Sequence, residues 1–289
     1  MIYKIFKHQI LNSLSSPRIY IGLIIGCVSQ ILSVIGLYDF SLALNKPLGL
    51  FEGFIYLNCD TYTSVVVFLG LLLFISDIPF TSPSETYLLL RTSKRKWVVG
   101  KILYLLIGTI IYYFIVMIAG VVYIFSNAFM GNIWSDPLRL LVTGYASNIA
   151  STYNVYFPYQ HIIQLSPYTA ALSCFGLSTA YGFVMSLLVF ILNLNFSRAI
   201  SYAGTMVFHI VSYAFAALIP LNTARKYSLL GNSLIMYHDI GHYFNDNTLP
   251  TITESLIMYT LLITAITILM LRCIRKYDFK ISMGIYNNA

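Results

Sequence analysis

Side chains able to do chemistry are few in this 289-residue chain, and their surroundings restrict what they can do. His209 lies midway along an apolar run, with Ser212 and Tyr213 one helical turn away. An ionisable group at that depth is costly in hydrocarbon, which makes it a functional candidate. The trio reads either as part of a translocation path or as hydrogen-bonded glue between helices. In "MYHDIGHYFND", His238 and His242 stand four residues apart with Asp239 and Asp246 nearby, part of what a zinc-type site needs. With no third ligand at a clear spacing, no metal is expected and the segment reads as a solvated or gate-associated loop. Cys27, Cys59, Cys174 and Cys273 show no CxxC or Cys/His pattern and read as packing residues. H-E-x-x-H, paired-acid and embedded Ser/His arrangements are absent. Gly100–Lys101 lacks the earlier glycine and the following hydroxyl of a phosphate-binding loop. A non-catalytic chain that does not itself hydrolyse ATP is expected.

The elements that hold these residues follow from composition. Hydrophobic residues make up 58% of the chain and charged ones 9%, against roughly a quarter charged in soluble domains. That places it among polytopic membrane proteins. Its net charge of +7 concerns orientation in a membrane, not nucleic acid. A bilayer core needs about 20 apolar residues per helix, and candidate spans run over 19–37, 59–76, 101–125, 168–194, 199–219 and 255–271. The first is long enough to span and lacks a small-residue cleavage site, so it reads as a retained helix and not a signal peptide. Thr61, Thr63 and Ser64 dilute the second, and a tight turn near Asn195–Arg198 joins the fourth and fifth as a hairpin.

With both termini inside, thirteen of the seventeen Lys and Arg residues fall on the cytoplasmic side, leaving Lys46, Arg139, Arg225 and Lys226 outside. An all-α integral membrane fold with six transmembrane helices and cytoplasmic termini is expected, in the cell membrane. Segments 127–166 and 220–254 become extracellular loops. Residues 1–14 set Ile2, Ile5, Phe6 and Ile10 on one face, away from Lys4, Lys7 and His8, as an interfacial amphipathic helix does. In the first outer loop Asp136 is the expected cap and Pro137 the first residue of a helix. Its apolar stripe would be Leu138, Leu141, Val142, Tyr145 and Ile149, with Trp134, Tyr153, Tyr156, Tyr159 and Tyr168 forming an aromatic belt.

Charge collects in the connector 77–100, within "SDIPFTSPSETYLLLRTSKRKWVVGK". Ser82, Pro83 and Glu85 form a helix-start signature in which two amide donors are satisfied reciprocally. Expulsion of charge from hydrocarbon explains the basic half. It does not explain a capped helix with three successive leucines, which would expose an apolar surface and so suggests a partner.

An amphipathic N-terminal helix, six spans and "DIPF…E…LLLRTSKRKWVVGK" between the second and third together resemble the permease subunit of ABC-2-type transporters. The resemblance covers the whole chain in topology but only about 77–101 in residues. It implies an elbow helix at 1–14 and a coupling helix whose Glu85, Tyr87, Leu88, Leu89 and Arg91 dock on a separate ABC ATP-binding subunit. Lys94, Arg95, Lys96 and Lys101 would be the basic flank anchored at lipid phosphate or that subunit. ATP and Mg2+ would reside in the partner, and a second permease, as homo- or heterodimer, would complete the path. Phe and Tyr, 43 residues together, and few charges suit export of a hydrophobic or amphipathic peptide, lipid or drug. An antimicrobial-peptide immunity or sensing complex would use the same parts. An ion-coupled carrier or membrane enzyme acting alone is the competing class, weakened by the lack of a central acid.

Overall fold

The structure, a computed structural model, describes residues 2–76, 92–219, 222–241 and 248–276. It is an all-α fold, and among the described residues the strands are two residues long. Helix α1 (Ile2–Leu14) leads through a two-residue turn into α2 (Pro17–Ala43). Ser16 in extended conformation and Pro17 at the first helical position start α2. Strand β1 (Leu48–Gly49), the short α3 (Glu52–Leu57) and α4 (Thr61–Phe74) follow. Helix α5 (Lys94–Ile124) then leads to β2 (Ala128–Phe129), which pairs with β1 in parallel. The loop helices α6 (Asp136–Thr143) and α7 (Ser147–Thr152) precede α8 (Pro167–Asn195). Helix α9 (Arg198–Tyr213) ends in a π-helical turn, Ala214–Leu218, before α10 (Asn222–Tyr227) and α11 (Ile252–Lys276).

Among the described residues five helices are long and apolar enough to cross a membrane: α2, α5, α8, α9 with its π turn, and α11. The chain is a multi-pass membrane protein. Helix α8 is its axis. Its most apolar stretch is 61% buried inside the protein, against 22–39% for the other four. Helices α9 and α11, the least covered, turn side chains such as Val207, Phe208, Leu261 and Leu269 outward. An outward apolar face is stable when lipid is the solvent.

Small residues let α2 and α4 approach closely. A Cβ on Gly22 would lie 2.5 Å from the Gly70 carbonyl oxygen, and one on Gly70 would lie 2.8 Å from that of Gly22. Tyr112 of α5 fastens onto this pair, donating its hydroxyl to the Val67 carbonyl at 2.6 Å.

Several expectations from sequence are revised. The second apolar run, expected to span over 59–76, is the single helix α4 of 14 residues, shorter than the five long apolar helices, and Asp60 separates it from α3. In the loop, Ser135 and not Asp136 is the cap of α6, accepting the Leu138 amide at 3.3 Å. Gly144 at φ 73° then ends that helix, so the expected stripe is interrupted and Tyr145 stands 87% exposed. Of the expected aromatic belt, Trp134 is instead buried, its indole donating to the Leu165 carbonyl at 2.7 Å. On α1 the buried line is Ile5, Gln9 and Ser13, two of them polar; Phe6 and Ile10 are half-buried beside it.

Candidate functional site

The site grows from the interruption between α3 and α4. Asp60 caps α4, its two carboxylate oxygens accepting the Tyr62 and Thr63 amides at 3.1 Å each. Two residues earlier the buried Asn58 donates its side-chain amide to the Phe54 carbonyl at 2.8 Å, a second donor there beside its own backbone amide at 3.2 Å. Its other end, Oδ1, accepts the Ser178 hydroxyl at 2.6 Å from the middle of α8. Asn58, Ser64, Tyr113, Ser178, Tyr181 and Ser233 line a cavity of about 10 Å³, the size of one water site, within an otherwise apolar bundle.

Beside it the buried His209 pairs through Nδ1 with the Tyr181 hydroxyl. Its ring lies on Phe68, centroids 4.1 Å apart. The imidazole thus joins α4, α8 and α9, while its Nε2 is buried without a hydrogen-bond partner. Such an atom can donate to or accept from a polar group entering between these helices. The arrangement offers polar recognition within an apolar bundle.

The other two members of the expected path do different work. Ser212 anchors the loop, its hydroxyl accepting the Leu230 amide at 2.8 Å, while Ser228 donates to the Ser212 carbonyl at 2.6 Å. Tyr213 lies half-buried with its ring 5.9 Å from that of Tyr62. His209 is therefore in the bundle centre and Ser212 at its loop end.

Two further polar nodes hold that end shut. Buried Glu52 accepts the Ser135 amide at 2.7 Å, the Ser135 hydroxyl at 2.6 Å and the Gly49 amide at 2.9 Å. Burial raises its pKa, and these donors and the Arg139 charge oppose the rise. His238 reaches the Leu234 carbonyl at 3.0 Å and the Ser255 hydroxyl at 2.9 Å, and Ser255 donates to Asn232 at 2.6 Å. Burial pushes the His238 pKa down to about 4, and it lowers that of His161. The neutral His238 ring can donate from only one of these nitrogens, because the Leu234 carbonyl only accepts and the Ser255 proton goes to Asn232. Its sequence neighbours His242 and Asp246 lie outside the described residues. Among the described residues no group of three His, Cys, Asp or Glu is placed to hold a metal ion.

Glu85, Tyr87, Leu88, Leu89 and Arg91 also lie outside the described residues. Lys94, Arg95 and Lys96 open α5 and are exposed. Lys101 is not an exposed flank: it is buried, its ammonium donating to Gln9 of α1 and lying 5.4 Å from the Trp97 ring centre. Of the residues the sequence left aside, Asn58, Ser178, Tyr181 and Glu52 matter most here. Asp60 just ahead of a helical run was the visible sign of a break there. Comparison of the chain with protein-family models, curated proteins and solved structures finds no match.

Proposed function

We propose that this chain is the permease subunit of an ATP-driven transporter of the ABC-2 type, exporting a hydrophobic or amphipathic cargo such as a peptide, lipid or drug. The observation that carries a transport reading is the break between α3 and α4, ahead of an apolar helix too short to cross alone. Helix α4, with 14 residues, covers about 21 Å. A hydrocarbon core is roughly 30 Å thick, so α4 alone falls short of it, and the break with its polar residues stands at the end where α4 begins. Broken helices with polar residues at the break are where membrane transporters hold what they move. Here that break meets Ser178 and shares a small cavity with Tyr181, whose hydroxyl pairs with His209 deeper in the bundle.

In this reading the chain crosses six times with both termini in the cytoplasm of the cell membrane. The excess of Lys and Arg in 1–18, 91–101, 198 and 272–280 supports that orientation. The ATP-driven part rests on the connector sequence and on the lack of a phosphate-binding loop. ATP and Mg2+ belong to a separate subunit, and a second permease completes the path.

The test is to replace Leu88→Asp and Leu89→Asp and purify the tagged chain from its native membrane. The wild-type chain brings down an ATP-binding subunit and the double variant loses it. Co-purification at full yield with unchanged ATPase activity rejects the coupling assignment.

A further inference from the structure

An apolar groove of about 180 Å³ opens between α1, α2 and α5. Its wall on α5 is Tyr104, Ile107, Gly108, Ile111 and Ile115, one face of the helix at three- and four-residue spacing. Those eleven residue steps rise about 16 Å, close to half of a hydrocarbon core roughly 30 Å thick. The groove therefore has the length of one leaflet's acyl layer and runs with the crossing helix. A dry apolar cavity of about 150 Å³ is enough to hold benzene, so this volume admits a stretch of hydrocarbon chain.

The groove is built and kept open. Lys101 holds α1 through Gln9, and the Tyr20 hydroxyl donates to the Leu14 carbonyl at 2.9 Å, fixing the turn into α2. Between these ties Phe6 and Ile10 face the space without closing it. Gly108 adds to the opening for a reason unlike that of Gly22 or Gly70. A Cβ there would meet only the Phe74 ring, at 3.4 Å, an ordinary contact. Helix packing does not demand glycine at 108, yet the space beside it is left free.

Charge at the α1 end selects the occupant. Lys4, Lys7 and Arg18 precede the first acid of the chain, Asp39, and Lys7 and Arg18 are exposed beside the lining residues Phe6 and Ile19. Basic groups at a membrane surface attract anionic headgroups. We propose that this groove binds one acyl chain of an anionic phospholipid of the cytoplasmic leaflet, with its phosphate at the Lys7–Arg18 end. The proposal rests on the cytoplasmic N-terminus but not on the transport assignment.

The experiment uses the full chain in vesicles containing phosphatidylglycerol or phosphatidylcholine with a diazirine in one acyl chain, mapping crosslinked peptides by mass. Phosphatidylglycerol should label 6–23 and 104–115 about fivefold more per basic residue engaged than phosphatidylcholine does. Gly108→Leu fills the groove and should cut that labelling about tenfold, leaving labelling of α11 unchanged. Lys7→Glu with Arg18→Glu, both on the surface, should erase the preference for phosphatidylglycerol. Equal labelling by the two lipids, or labelling indifferent to both variants, overturns the proposal. Depth tests which end of the groove holds the headgroup, whichever side the N-terminus faces. A diazirine near the headgroup should mark the Tyr104 end and one at the chain terminus the Ile115 end. The reverse order would put the headgroup at the Ile115 end, away from Lys7 and Arg18, and overturn the proposal; reaction of Lys7→Cys with an impermeant thiol reagent added outside intact cells would overturn the cytoplasmic N-terminus alone.

Discussion

Glu52 receives three donors on its two carboxylate oxygens, from Ser135 twice and from Gly49. Glutamine fits the same space but turns an NH2 toward donors, leaving at least one buried polar group unmatched. Glu52→Gln should therefore cost on the order of 1–3 kcal/mol, read as a lower thermal midpoint in detergent. An unchanged midpoint would mean the node carries no stability. His238 gives a pH-dependent counterpart. Its folded pKa of about 4 lies below the ordinary 6.5, so the neutral ring stabilises the fold above pH 6.5. That contribution, on the order of 3 kcal/mol, is lost as pH falls from 6.5 toward 4. His161, lowered in the same direction, adds to the loss, so the readout is a difference. The midpoint of the wild-type chain should fall more steeply over this range than that of His238→Gln. Parallel curves would remove His238 from the account.

At the scale of elements, the break between α3 and α4 depends on one cap and one distant bond. Asp60→Ala removes the acceptor for the Tyr62 and Thr63 amides and should cost about 1 kcal/mol. Ser178→Ala takes away the donor to Asn58 Oδ1 and leaves that oxygen buried without it. Both variants should lower transport while the chain still reaches the membrane, with Ser178→Ala having the larger effect because its bond lies inside the bundle. Equal transport by Ser178→Ala would make the break a packing detail.

Parts of this element were legible beforehand. Apolar length located the long helices, and Gly144 and Asp60 are residue types that end and begin helices. The partners of Asn58 and Glu52, by contrast, stand 120 and 83 positions away in sequence. Local pattern gives no sign of bonds so distant, so an Asn and a Glu in a connecting segment read as solvated. Lys101 was misjudged for a similar reason. A basic run at a membrane edge reads as exposed, and only the packing of α1 against α5 shows that one member turns inward to Gln9.

For the whole molecule, α8 is covered on most sides while α9 and α11 present apolar faces outward. That asymmetry leaves room for lipid or for another protein chain against the outer helices, whereas His209 and its neighbours lie toward α8. The central claim is that the chain moves cargo only as part of a larger ATP-driven assembly. Native mass spectrometry of the complex, released gently from its own membrane, tests this most directly. The account predicts two permease subunits, identical or paralogous, with two ATP-binding subunits, and ATP hydrolysis that needs Mg2+. A chain recovered alone that moves solute across liposomes without ATP would contradict it.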